Sequence, residues 1–462
     1  MTTTRVFLVS LTILMAASLG CGIRAFAADT DKAATLTIKG VTYRVVPDEE
    51  MRDLGFAFAD VAPEENAATY YLQVFDVYWP QSAKDEPELL GLRDDVLKNG
   101  WTDEAAPLVE YLKKNEKALD LIKQAPAKSA CHFPFLLGEG QTIDEAGPYC
   151  IRVLQPANMR ELAKYLRTLG AWHESEGRHA DALDAYLLCF RLGSHVAQDP
   201  SLINGLVGIA CDVIGMRGIE RCLVRNEIDE ETLARSQKRL QELFRTRPDL
   251  RVAMAGERAM SIEGVEWLLR DPENLTLLGY GGSDVLTRIG RHAIMKSEKW
   301  RAQMRQDVAD FWDEMDKILK MPLDEFIESG VEEEFVASLK VRRRPPNPMA
   351  VLGSGLPRAR IQYVRHDLEW AVADMVFALA RYRAKHGEYP AKLDEVKALM
   401  LSDGIDPYSG EPLLYRLEDD GAYTIWSVGE NLEDDGGAVG SKCPDWQAKD
   451  FVWNSAVIHG ED

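Results

Sequence analysis

The sequence predicts a mainly α fold: stacked helical hairpins followed by a small α+β domain. Three observations predict it. Apolar residues recur at helical spacing from Pro63 to about Lys340. A stretch rich in proline, glycine and arginine, Val341–Arg360, then breaks that pattern. Beyond it, one further helical stripe leads into two alternating segments around Asp419-Asp420-Gly421, a hairpin signal because Asp-Gly tolerates positive φ. The expected division is 1–27 signal peptide, 28–62 short β-hairpin and lead-in, 63–340 helical body, 341–360 linker and 361–462 C-terminal domain.

Composition limits the function classes. The chain of 462 residues is 46% hydrophobic and 28% charged, which excludes low-complexity disorder, collagen and a multi-span membrane protein. A net charge of −21 repels phosphate backbones and anionic lipids, so the expected partner is a protein or peptide and not nucleic acid. Arg5, the apolar run Val6–Leu19 and Ala25-Phe26-Ala27 read as a cleaved signal peptide. The expected location is therefore periplasmic or extracellular, without stable membrane insertion after cleavage. Cys21 offers a second route, a lipid anchor, although Ser18 stands where a lipobox normally carries Leu.

Export makes disulfides chemically possible. Six cysteines follow Cys21, and sequence alone cannot choose among their pairings. Cys131 and Cys150 flank a segment broken by proline and glycine, and they are the expected pair. Cys211 and Cys222 would lie on one helix face about 16 Å apart, too far to bridge. Together with Cys189 they read as small buried hydrophobes.

The elements follow in order. Thr35–Val46 alternates as a short strand pair. Helical stripes run through Asn66–Tyr78 and Leu108–Ile122, and His132–Pro148 interrupts them. Further helices are expected at Ser201–Arg225, Glu230–Phe244, Leu250–Arg270 and Ile294–Leu319. In Leu169–Cys189, Gly170 and Ala182 permit close helix approach, Gly177 opens a turn and Tyr186 fills the groove. That spacing resembles a tetratricopeptide helix pair. Its neighbours lack the signature, so a tetratricopeptide-like array and an ordinary helical hairpin both fit.

After the linker, Leu368, Val372, Met375, Val376, Leu379 and Tyr382 form one helix face that stops at Gly387. The ordered set Ala378–Tyr382, Gly387-Glu388-Tyr389-Pro390, Asp406-Pro407, Gly410, Tyr415, Tyr423 and Ser427-Val428-Gly429 resembles the soluble domain of the type II secretion major pseudopilins. The likeness covers about 90 residues and implies an α+β fold. It also implies calcium in the terminal loop, with Asp434, Asp435 and Asp445 as ligands. A solvated acidic turn fits the same residues. An EF-hand does not, because Lys442 falls where its bidentate Glu belongs. Pseudopilins carry a long hydrophobic assembly helix at the N-terminus, whereas the matching domain here is C-terminal and lacks that segment.

Catalytic frames are absent. His173-Glu174 has Gly177 where a zincin needs its second His. Gly353-Ser354-Gly355 lies in the linker without a preceding strand. Glu257 and Arg258 read as surface ion pairing. The expectation is an exported, non-enzymatic protein-interaction or scaffold protein. The alternative is an exported hydrolase with a carboxylate site in the helical body.

Overall fold

The computed structural model describes residues 34–79, 86–148, 151, 153–271, 274, 296–340, 347–438 and 449–456. The expected signal segment, Cys21, Cys150, Arg342–Arg344 and Asp445 lie outside the described residues. The protein is mainly helical, with two small antiparallel three-stranded sheets.

The first sheet contains the expected strand pair. Strands β1 (Thr35–Ile38) and β2 (Val41–Val46) are joined through Lys39 and Gly40, both at positive φ, the twist that a tight hairpin needs. A third strand, β3 (Phe135–Gly138), pairs antiparallel with β2. It lies inside the stretch read from sequence only as a break.

The longer helices are α1 (Ala68–Val77), α2 (Pro87–Asn99), α3 (Leu108–Lys114), α4 (Glu116–Gln124), α5 (Gln155–Ser175), α6 (His179–Val196), α7 (Leu202–Arg225), α8 (Glu230–Thr246), α9 (Leu250–Leu268), α10 (Glu298–Lys320), α11 (Val331–Leu339) and α12 (Leu356–His386). The stripe expected as one helix over Leu108–Ile122 is two, broken at Asn115. The buried Asn115 amide takes the Trp79 N–H and donates to the carbonyls of Trp79 and Tyr111. These bonds compete with helix propagation. Ser201, Asp229, Asp249 and Ser297 accept backbone N–H groups at the starts of α7, α8, α9 and α10.

The α5–α6 hairpin has the expected geometry. Gly177 turns at φ 73, and a Cβ at Gly170 would stand 2.2 Å from the buried Tyr186 ring. Helix α7 closes over the same ring, because a Cβ at Gly218 would meet it at 2.5 Å. Among the described residues, α7 alone is long and apolar enough to cross a membrane, and 61% of its apolar window is buried inside the protein.

Helix α12 starts well before the stripe that predicted it. Pro357 occupies its first turn, where the missing N–H costs no hydrogen bond, so residues read as linker begin the helix. Its 31 residues reach about 46 Å. The first half packs Leu356, Ala359 and Tyr363 with α9 and α10. The second half packs Leu368, Val372, Val376 and Leu379 with Tyr186, Met216 and Ile219 of the body. That cluster continues into the second sheet through Tyr423, Ile425, Phe451 and Trp453. The C-terminal unit therefore shares its core with the helical body.

The second sheet runs β4 (Leu414–Leu417), β5 (Tyr423–Ser427) and β6 (Phe451–Asn454), all antiparallel. Buried Asp406 secures the loop before it. Its carboxylate accepts from Tyr408 N–H, Ser427 Oγ–H and Val428 N–H at 2.9–3.0 Å.

Candidate functional site

One face of α7 meets α12 through buried charges. His366 Nε2 lies 2.9 Å from Asp212 Oδ2, and Arg247 Nη1 lies 3.0 Å from His366 Nδ1. A guanidinium only donates, so Nδ1 accepts from Arg247. The Trp370 indole N–H converges on the same corner, 2.9 Å from Nε2. Burial and the Arg247 charge pull the His366 pKa well below its ordinary value. Burial pushes the Asp212 carboxyl well up, against the pull of Arg247 and Trp370. Asp212 Oδ1 has no hydrogen-bond partner among the described residues. One turn further on, Arg217 bridges Glu220 at 2.8 Å and Glu369 at 3.0 Å, all three well buried.

Outside this cluster lies a cleft of about 360 Å³, bounded by α8, α12 and the 401–407 loop. Asp374 builds its loop wall. One carboxylate oxygen accepts Leu401 N–H, Ser402 N–H and Ser402 Oγ–H at 2.8 Å each, and the other takes Gln237 Nε2–H at 2.7 Å. Trp370, Phe244 and Leu240 supply apolar lining, and Asp367, Asp403 and Arg245 supply charge. Asp367 pairs with Arg247, whose guanidinium also lies 4.5 Å over the Phe244 ring. Leu401 stands at the rim, 44% exposed.

The predicted calcium ligands lie elsewhere. Asp434 accepts Trp426 Nε1–H at 3.0 Å and Gly436 N–H at 2.9 Å. Asp435 pairs with Lys449 at 2.9 Å and accepts from Asn431 Nδ2. Those hydrogen bonds hold its carboxyl below the usual range. Asp445 is outside the described residues. No cluster of three or more His, Cys, Asp or Glu suited to a metal occurs among the described residues.

The expected disulfide partner Cys150 is likewise outside the description. Cys131 is a buried thiol, its pKa pushed well up by burial and by Asp199. Next to it, His132 joins Asp199 at 2.8 Å and Asp48 at 3.2 Å under a stacked Phe58 ring. Burial pulls the His132 pKa down, but the two carboxylates more than reverse that and leave it raised.

Two readings change in detail. Glu257 is not at the surface: it is 8% exposed and accepts Leu202 N–H at 2.8 Å, capping the start of α7. Arg258 alone has the expected surface pairing, with Asp316 at 3.4 Å. His173 accepts from Arg178, while Glu174 receives Tyr186, Arg221 and Asn226, so the pair serves the α5–α6 hairpin.

Sequence reasoning missed Asp212, Arg247, His366 and Trp370. The available signal lay on α12 alone, where His366, Glu369 and Trp370 fall among apolar residues at helical spacing; Asp212 on α7 and Arg247 just after α8 carried none. Comparison with protein-family models, curated proteins and solved structures finds no match.

Proposed function

We propose that this chain is an exported, non-enzymatic protein-interaction scaffold: a tetratricopeptide-like helical body carrying a pseudopilin-like C-terminal unit. The observation that carries the reading is the burial of α12. In a filament-forming pseudopilin the long helix packs against other subunits. Here α12, the long helix that leads into the C-terminal unit, is covered along both halves by α6–α10 of the same chain. Its recognition surface is then the cleft beside it, where Leu401 stays exposed. Affinity capture from the exported fraction tests this, comparing the full chain with its Leu401→Ser variant. A partner retained by the parent and depleted by the variant supports the reading. Equal recovery, or turnover of a substrate at the cleft, overturns it.

Calcium in the terminal loop is part of the same proposal, with Asp434, Asp435 and Asp445 as ligands. To bind there, the ion must displace Lys449 from Asp435. At ten to a hundred times its dissociation constant, calcium would stabilise the full chain by about 1.4–2.7 kcal/mol. Thermal unfolding with calcium and with chelator measures this, using Asp435→Ala as control. Identical midpoints for the parent chain remove calcium from the proposal.

A further inference from the structure

We propose that the cleft between α8, α12 and the 401–407 loop takes a cationic side chain from an extended polypeptide partner. This rests on the interaction reading above and names the chemistry of the partner. The positive group would sit with Asp367 and Asp403, its aliphatic stem along Trp370 and Phe244, and the adjacent apolar residue against Leu401.

Charge selects the ligand. Asp374 also lines the cleft, but its oxygens are already engaged in holding the loop wall. Asp367 remains about half exposed while pairing with Arg247, and Asp403 is exposed at the opposite rim. Against the three carboxylates of the lining stand two cations, Arg245 in the lining and Arg247 on Asp367, so the cleft keeps one net negative charge. The whole chain, at −21, adds a field that concentrates cations at any such cleft.

The wall already accommodates this chemistry from within. The Arg247 guanidinium lies 4.5 Å over the Phe244 ring and pairs with Asp367, which combines cation–π and carboxylate contacts. Size and shape favour a side chain on an extended peptide. About 360 Å³ holds a long side chain but no folded element. The exposed Leu401 adds an apolar shelf beyond the pocket for a neighbouring residue.

Fluorescence anisotropy on the full chain provides the test. Three labelled peptides differ at one central position, Lys, Gln or Glu, between leucines. The Lys peptide is expected to bind about fivefold tighter than the Gln peptide at low salt, as one partly exposed ion pair provides. Half-molar salt should remove that advantage. Asp403→Asn keeps the Oδ1 that accepts Ile405 N–H, so the loop turn survives. It should weaken the Lys peptide about fivefold and leave the Gln peptide unchanged, while Arg245→Gln should tighten the Lys peptide. Equal binding of Lys and Gln peptides, or preference for Glu, overturns the proposal. If none of the three binds while capture still depends on Leu401, the cation is wrong and the interaction reading stands. If capture also fails, both fall.

Discussion

Toward α5 and α6, helix α7 presents Gly208, Gly215 and Gly218, and the buried Tyr186 ring lies directly on its backbone. Toward α12 the same helix presents Asp212 and Arg217 to His366 and Glu369. The first face gains dispersion contacts and buried area from close approach. The second places ions out of water, where desolvation offsets much of their mutual attraction. Those pairs add little stability by themselves, and they sit beside the apolar packing of Leu368, Val372 and Val376 on Met216 and Ile219. The difference teaches how one helix combines two kinds of contact: the hairpin is held by close approach, and α12 adds buried polar pairs to its apolar packing.

The sharpest way to break that comparison is at Arg217. Its replacement by Leu leaves Glu220 and Glu369 buried without the guanidinium and should cost about 3–5 kcal/mol in urea unfolding. Replacing Arg217, Glu220 and Glu369 together by leucines should restore the parental midpoint or exceed it. A triple variant as unstable as the single one would mean that the charges themselves hold the seam.

On the glycine face, Gly218→Ala drives a methyl into the Tyr186 ring and should cost about 1–3 kcal/mol. Adding Tyr186→Leu should recover part of that loss, because the smaller side chain makes room. Additive losses in the double variant would show that the two residues do not share a contact.

Acid should separate the faces more gently. His366 is held neutral by burial and Arg247, and His195 is pulled down to about 3 by burial and Arg191. Below pH 6.5 an unfolded histidine binds a proton that these do not, so their stabilisation is present above that pH and lost as pH falls. Each contributes a slope of up to about 1.4 kcal/mol per pH unit. His132 works in the opposite sense: its contribution is full below pH 6.5 and disappears as pH rises through its raised value. Unfolding midpoints measured from pH 5 to 9 should show a shallower acid limb in His366→Gln than in the parent. An unchanged limb would move the acid sensitivity away from the charged face.

Much of the helical body was legible because its signals are local and long. The periodic runs that became α7, α8, α9 and α10 lie within a few residues of their expected limits, and each starts at a capping side chain. Gly170, Gly177 and Tyr186 could be read as a hairpin because one groove needs all three. The four-residue strands Phe135–Gly138 and Phe451–Asn454 were not legible, since they are buried on both faces and show no alternation. The cleft was less accessible still. Its walls come from the 240s, the 370s and the 400s of the chain, and no spacing rule links Phe244 to Trp370 or Leu401.

The charged seam also sets a timetable for synthesis. Arg217 and Glu369 are 152 residues apart, so the face of α7 that α12 will cover is made long before its cover. At about 5–20 residues per second that interval is roughly 8–30 s. Throughout it Tyr186, Met216 and Ile219 can gather into the hairpin, while the apolar surface awaiting Leu368, Val372 and Val376 stays open. Until the last quarter of the chain arrives, that apolar surface has no cover from its own sequence, and association through it competes with folding.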